Sequence, residues 1–283
     1  MTTLVEYAVA GPLARLTLNS PHNRNALSTT LVTQLHQGLC DAAADPAVRV
    51  VVLGHTGGTF CAGADLSEAG AGNPGGDREG GEAGRSGSPP SAYDMAAARA
   101  NEMTALLRAI VSSPLPVIAA VDGHVRAGGF GLVGACDIAV AGPRSTFALT
   151  EARIGVAPSI ISLTLLPKLS PRAAARYYLT GETFDAAAAA AIGLVTIAAD
   201  DVDAAVAELV ADIGRGSPQG LAASKALTTA AVLDGFDRDA QRLTEESARL
   251  FVSDEAREGM LAFLQKRPPS WAPPAATDDA DRN

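Results

Sequence analysis

The sequence predicts an α/β fold whose last third is helical. Three observations carry this. Short apolar runs at residues 48–53, 117–121 and 138–140 lack the apolar–polar alternation of a strand that faces water, so they read as strands covered on both faces. Amphipathic stretches of helical period stand between them, the pattern of a repeated strand–helix–strand crossover. Beyond residue 201 every segment has the helical period.

The elements follow in order. Residues 4–9 and 13–18 alternate around Gly11-Pro12, which reads as a hairpin. Asn19 to Asn25 is a polar loop. Ser28 is placed to cap a helix over 29–43, with Leu31, Leu35 and Leu39 on one face, and Asp45-Pro46 ends it. Residues 67–90 are dense in glycine, with scattered charges and no apolar period; such a composition cannot form a core. The segment reads equally as a loose entrance rim or as a tolerated surface insertion. A helix resumes near Ser91 and runs to about Ile110, with Met103, Leu106, Leu107 and Ile110 on one face, until Ser113-Pro-Leu-Pro116 breaks it.

Residues 146–148 read as a short strand, and 154–161, which contains Pro158, as a loop leading into a helix. Pro171 suits the first turn of a helix through about Leu179. Residues 185–191 are almost all alanine, a helix closed near Gly193, and 194–197 is a further short strand. Helices are then expected at 202–213, 218–232, 238–252 and 255–265, stopped by Arg267-Pro-Pro269. The chain therefore divides into a core over 1–200, a helical region over 201–267 and a frayed tail over 268–283.

Composition excludes several classes. Apolar residues make up 47% of the 283, as in ordinary globular proteins. The formal charge is −9 with no basic block, which argues against nucleic acid as a partner. Cys40, Cys61 and Cys136 fit neither a metal spacing nor a disulfide framework and read as small buried residues in a reducing compartment. No basic-then-apolar leader opens the sequence, and the apolar runs are far too short to span a bilayer, so a soluble cytoplasmic protein is expected.

Two glycine-rich turns carry the chemistry. Gly57-Gly-Thr-Phe-Cys-Ala-Gly-Ala-Asp65 and Val121-Asp-Gly-His-Val-Arg-Ala-Gly-Gly-Phe-Gly-Leu132 each follow a core strand. Glycines there let a ligand approach backbone N–H groups, and two such donor sites in one pocket can hold one oxygen that gains negative charge. Neither turn has the spacing of a phosphate loop or a dinucleotide fingerprint. Glu151, in a largely apolar neighbourhood, is the acid/base candidate, because partial burial raises a carboxyl pKa toward neutrality. Asp65 and Asp137 are expected to accept backbone hydrogen bonds that shape their loops. His22, His36, His55 and His124 have no metal-ligand spacing; His124, close to Gly128, reads as a pocket-lining or a turn residue. Arg24 is equally a phosphate contact or a solvated side chain, and Lys266 with Arg267 complements a helix dipole.

Phe60-Cys-Ala-Gly-Ala-Asp-Leu66 and Gly128-Gly-Phe-Gly-Leu132 closely resemble the enoyl-CoA hydratase/isomerase, or crotonase, superfamily. Arg24-Asn-Ala-Leu-Ser28, Ala135-Cys-Asp-Ile138, Gly181-Glu-Thr-Phe-Asp185 and Glu258 to Arg267 agree. The resemblance implies a spiral of ββα units with a C-terminal helical trimerisation region, assembled as a homotrimer or a dimer of trimers. It implies an acyl-CoA thioester substrate, coenzyme A being part of that substrate rather than a separate cofactor, and no metal. It makes the N–H groups of Ala64 and Gly128 the oxyanion donors and Glu151 the group that exchanges a proton with the substrate carbon. It assigns Arg24, Ala26, Ala62, Asp65, Leu66, Phe263 and Lys266 to coenzyme A binding. Hydratases of the family typically use two glutamates, and Gly131 stands where the first should lie. Gly131-Leu132, Glu151-Ala-Arg-Ile-Gly155 and Arg176-Tyr-Tyr-Leu-Thr180 look most like the bacterial branch with methylglutaconyl-CoA-type hydratases. Three functions follow: hydration of a 2-enoyl-CoA, Δ3,Δ2-enoyl-CoA isomerisation with Glu151 as single base, and coenzyme A binding with little turnover.

Overall fold

The computed structural model describes residues 2–65, 68 and 90–273. Leu66, nearly all of the 67–90 insertion and the tail beyond residue 273 lie outside the described residues.

Strands β1 (Val5–Ala10) and β2 (Leu13–Leu18) form the hairpin, in register from Val5 opposite Leu18 to Ala10 opposite Leu13. Gly11 makes the turn at φ +58°, a conformation open to glycine without steric cost. β3 (Val50–His55), β5 (Val117–Val121), β7 (Ile138–Ala141) and β10 (Ile197–Ala198) complete a six-stranded sheet in the order β1-β2-β3-β5-β7-β10, parallel except for β1. A second sheet of four strands runs β4 (Thr59–Cys61), β6 (His124–Arg126), β8 (Thr146–Ala148), β9 (Phe184–Asp185). Each pair of successive strands, β3/β4, β5/β6 and β7/β8, is split between the two sheets. This is the ββα repeat of the crotonase architecture.

Helices α1 (Thr29–Ala44), α2 (Ala92–Ser112) and α3 (Gly128–Ala135) cover the inner face. Ser28 caps α1 by accepting from Leu31 N–H, and Leu31, Leu35 and Leu39 are buried, as their spacing requires. Leu16, Leu53, Phe60, Leu106, Phe130 and Phe147 close the main core between the sheets and these helices. Then come α4 (Ser162–Leu165), α5 (Pro171–Thr180), α6 (Ala186–Ala191), α7 (Val202–Ile213), α8 (Pro218–Phe251) and α9 (Asp254–Leu264). α7 covers the outer face, where Val50, Val52, Ile118 and Val140 pack with Val206. Among the described residues, no helix is long and apolar enough to cross a membrane.

Three expectations need correction. The helices expected at 218–232 and 238–252 are one helix of 34 residues. Phe236, next to Gly235, is buried, and α8 meets α2 on both sides of that point, through Lys225 to Ile110 O and through Thr244 to Thr104. Burial of that kind outweighs the roughly 1 kcal/mol that an interior glycine costs a helix. The strand expected at 194–197 is only the two-residue β10. Cys40, expected inside, is exposed on the polar side of α1, its sulfur 3.7 Å from His36 Nδ1.

Asp137 does shape its loop, accepting from Val117 N–H at 2.7 Å. It also pairs with buried Lys225 at 2.8 Å, and Lys225 donates to the carbonyls of Ile110 and Leu115 as well. The ammonium thus joins α8 to the end of α2 and to the entry of β5, with every proton used.

Candidate active site

The two glycine-rich turns end side by side. Leu27 N–H donates to Gly63 O at 2.8 Å, and Asp65 N–H donates to Leu27 O, so Ala64 forms an isolated parallel bridge with Leu27. In that bridge the N–H of Ala64 itself points away from Leu27. Asn25 holds the same loop from behind. Fully buried at φ +54°, it accepts from Ser20 N–H and donates to the carbonyls of Thr56 and Thr59. Arg24 O accepts from Ala62 N–H at 3.1 Å, and Ala26 is buried beside it.

On the facing turn, Ala127 has φ +45° and ψ −120°, a strained conformation for a residue with a Cβ. It directs the chain into α3, where Gly128 is the first residue, so its N–H has no intrahelical acceptor. A Cβ on Gly63 would lie 2.6 Å from Ala127 Cβ and 3.4 Å from Gly128 N. A Cβ on Gly128 would lie 2.8 Å from Leu27 Cδ1 and 3.7 Å from Gly63 Cα. The turns carrying Ala64 and Gly128 are therefore in contact through glycine backbone.

Glu151 opens a short 3-10 turn, Glu151–Ile154, directly after β8. The residue is 7% exposed, and among the described residues its Oε2 has no hydrogen-bond partner. Burial pushes its pKa up to about 7, opposed by a hydrogen bond from its own backbone. Cys61 lies under the first turn, but burial lifts its thiol to about 12, so it is no nucleophile.

The space beside Gly131 is filled. A Cβ there would stand 2.6 Å from Ile161 Cγ2 and 3.2 Å from Leu107 Cδ1. Ile161 and Leu107 are both buried, so this wall is apolar and closed.

Residues 9–87 and 90–274 match the enoyl-CoA hydratase/isomerase family. The chain belongs to that family. A solved structure of an enoyl-CoA hydratase from Mycobacterium avium is 73% identical, with TM-score 0.84, over 96% of this chain and all of that one. The mevalonyl-coenzyme A hydratase of Aspergillus fumigatus is 32% identical over 91% of this chain and 90% of its own length. Enoyl-CoA hydratase domain-containing protein 3 of Danio rerio is 29% identical over 95% and 86% respectively.

Within this hydratase/isomerase chain the remaining candidates are spread around the two turns and the C-terminal helix. The Arg24 side chain is exposed, at φ +59° in the αL region. Asp65 accepts from Asn23 Nδ2 at 3.1 Å across the same loop. Phe263 is 61% exposed near the end of α9, and Lys266 closes that end with its N–H on Phe263 O. Arg267 does not complement a dipole alone: it holds Glu258 through two hydrogen bonds of 2.7 and 2.8 Å. His124 sits on β6, exposed, against Thr146 Oγ1 at 2.7 Å. Sequence reasoning missed Asn25, Ile161, Ser162 and Tyr178. An asparagine in a polar loop before a capping serine was a usable signal for Asn25, since asparagine tolerates positive φ. The others come together only through tertiary packing.

Proposed function

We propose that this protein hydrates a 2-enoyl-CoA through a thioester enolate, with Glu151 as its single acid/base. The observation that carries the reading is the buried Glu151 carboxyl, with one oxygen that has no partner among the described residues and a pKa of about 7, in a chain of this family. The amides of Ala64 and Gly128 would receive the thioester oxygen, and losing one such donor costs about 3 kcal/mol of transition-state stabilisation.

The steps balance with one carboxylate. Glu151 takes a proton from water as the water oxygen bonds to C3. The C2=C3 pair moves toward the thioester, giving the enolate between the two amides. Glu151 then returns the proton to C2, which leaves a 3-hydroxyacyl thioester and the original carboxylate. Arg24, Ala26, Ala62, Asp65, Leu66, Phe263 and Lys266 would hold the coenzyme A portion, the last two across a subunit boundary in a homotrimer or dimer of trimers. The methylglutaconyl-type motifs favour a branched acyl group.

A second reading has its own support. The apolar wall of Ile161 and Leu107 behind Gly131 suits Δ3,Δ2 isomerisation, in which Glu151 moves a proton from C2 to C4 and no water takes part. The test offers purified protein crotonyl-CoA, 3-hexenoyl-CoA and 3-methylglutaconyl-CoA, with Glu151→Gln as control. Water addition abolished in E151Q is the expected result. Double-bond migration without hydration would establish the second reading. Tight coenzyme A binding with no turnover on the panel would make this a binding protein, and full activity in E151Q would remove Glu151 from the chemistry.

A further inference from the structure

We infer that the Tyr178 hydroxyl, itself held by Ser162, positions the water that Glu151 activates. The inference rests on the hydration reading above and supplies the polar group that Gly131 cannot.

Ser162 follows Ile161 directly in the chain and opens α4. Its Oγ donates to Pro158 O at 2.7 Å and lies 3.1 Å from Tyr178 Oη. A serine hydroxyl has one proton; with that proton on Pro158 O, the phenol donates in the second contact. In that arrangement the order runs Tyr178 to Ser162 to Pro158, and the phenol oxygen keeps its capacity to accept.

α5, which carries Tyr178, packs on the Glu151 turn and is latched there. Arg153, two residues after Glu151, donates to Thr180 O through Nη2 at 2.8 Å and Nε at 3.3 Å. Gly181, at φ +62°, allows the closure: a Cβ there would stand 2.8 Å from Arg153 Nε and 3.0 Å from Leu149 O. Burial pushes the Tyr178 phenol up to about 12, opposed by the hydrogen bond with Ser162 and aided by the negative charge of Glu151. Tyr178 stays protonated at any working pH and is no base. It can orient.

The chemistry needs such a group. A water that gives one hydrogen to the phenol oxygen and the other to the Glu151 carboxylate has its lone pairs directed outward, toward C3. The first proton stays in the hydroxyl product; the second goes to Glu151 and then to C2. Ile161 and Leu107 offer no polar atom for this purpose.

The experiment separates water addition from enolate formation. Hydration of crotonyl-CoA, 2-decenoyl-CoA and 3-methylglutaconyl-CoA is measured beside C2-proton exchange of butyryl-CoA in D2O, which needs Glu151 and the enolate but no added water. Tyr178→Phe is expected to lower the hydration kcat by about 10²-fold, the scale of a misplaced reactant. Its KM and its exchange rate should change far less. Ser162→Ala keeps the apolar contacts and should lower hydration by a smaller factor with the same selectivity; it carries the test if Y178F does not fold. Native hydration in both variants would overturn the inference alone. So would a parallel loss of hydration and exchange, which would mark a structural role. A native protein that exchanges the C2 proton yet adds no water to any substrate would overturn the hydration reading and this inference together.

Discussion

Glu151 links folding and chemistry in one titration. Its carboxyl has an ordinary pKa near 4.5 when unfolded and about 7 when folded, because burial penalises the anion. Between those values the folded chain keeps a proton that the unfolded chain has released. Stability therefore falls as pH rises through that window and levels off above it. Glu151→Gln removes the penalty, so E151Q should exceed the native protein in stability by about 3 kcal/mol near pH 8 and by almost nothing near pH 4. Urea unfolding at the two pH values checks this, and equal stabilities at both would mean that the carboxyl is not desolvated. The anion takes the first proton in the proposed reaction, so kcat/KM should rise through about pH 7. At this scale the sequence was informative about Glu151, whose apolar surroundings are local in the chain. It was silent about Tyr178 and Ser162, which face each other across a turn and a helix start that no spacing rule connects.

At the scale of elements, α9 decides where Glu151 sits. Two glycines let the helix rest directly on the turn Glu151–Ile154. A Cβ on Gly259 would stand 2.5 Å from the Ile154 carbonyl, and one on Gly155 would stand 2.6 Å from the Glu255 carbonyl carbon. Backbone meets backbone there, so neither side can yield by a rotamer change. Gly259→Val should force α9 off the turn and cost about 1–3 kcal/mol, the usual range for overpacking. Hydration should fall with it, because the carboxylate moves. A thermal midpoint and a kcat measured on the same sample check both parts; a destabilised protein with native kcat would show that α9 does not position the turn. The long strands β3 and β5 were readable because their apolar runs are continuous. β4 and β6 were not, since three residues flanked by glycine have no period to detect. Those short strands belong to the second sheet, whose ends carry the two turns, so the part of the fold hardest to read is the part that builds the candidate site.

At the scale of the whole molecule, apolar surface is left uncovered. Leu179 on α5, Leu227 on α8, and Phe263 and Leu264 on α9 are each more than 60% exposed. The sequence shows these residues only as members of helical stripes, and the fold reveals that their stripes outrun the core. Exposed leucine and phenylalanine on three helices suit contact with further copies of the chain. The proposed homotrimer would sediment at about 86 kDa, three chains of 28.7 kDa, or at twice that as a dimer of trimers. Leu179→Asp and Phe263→Asp should each shift the mass toward a single chain while far-UV circular dichroism stays native, because both side chains already lie outside the core. Phe263 is also proposed to touch coenzyme A across the boundary, so dissociation by Leu179→Asp, which leaves Phe263 in place, should raise the KM for every acyl-CoA by a similar factor. A native protein that sediments as a single chain at micromolar concentration with full activity would sink the assembly and the shared coenzyme A site at once. The Glu151 chemistry, built within one chain, would be untouched.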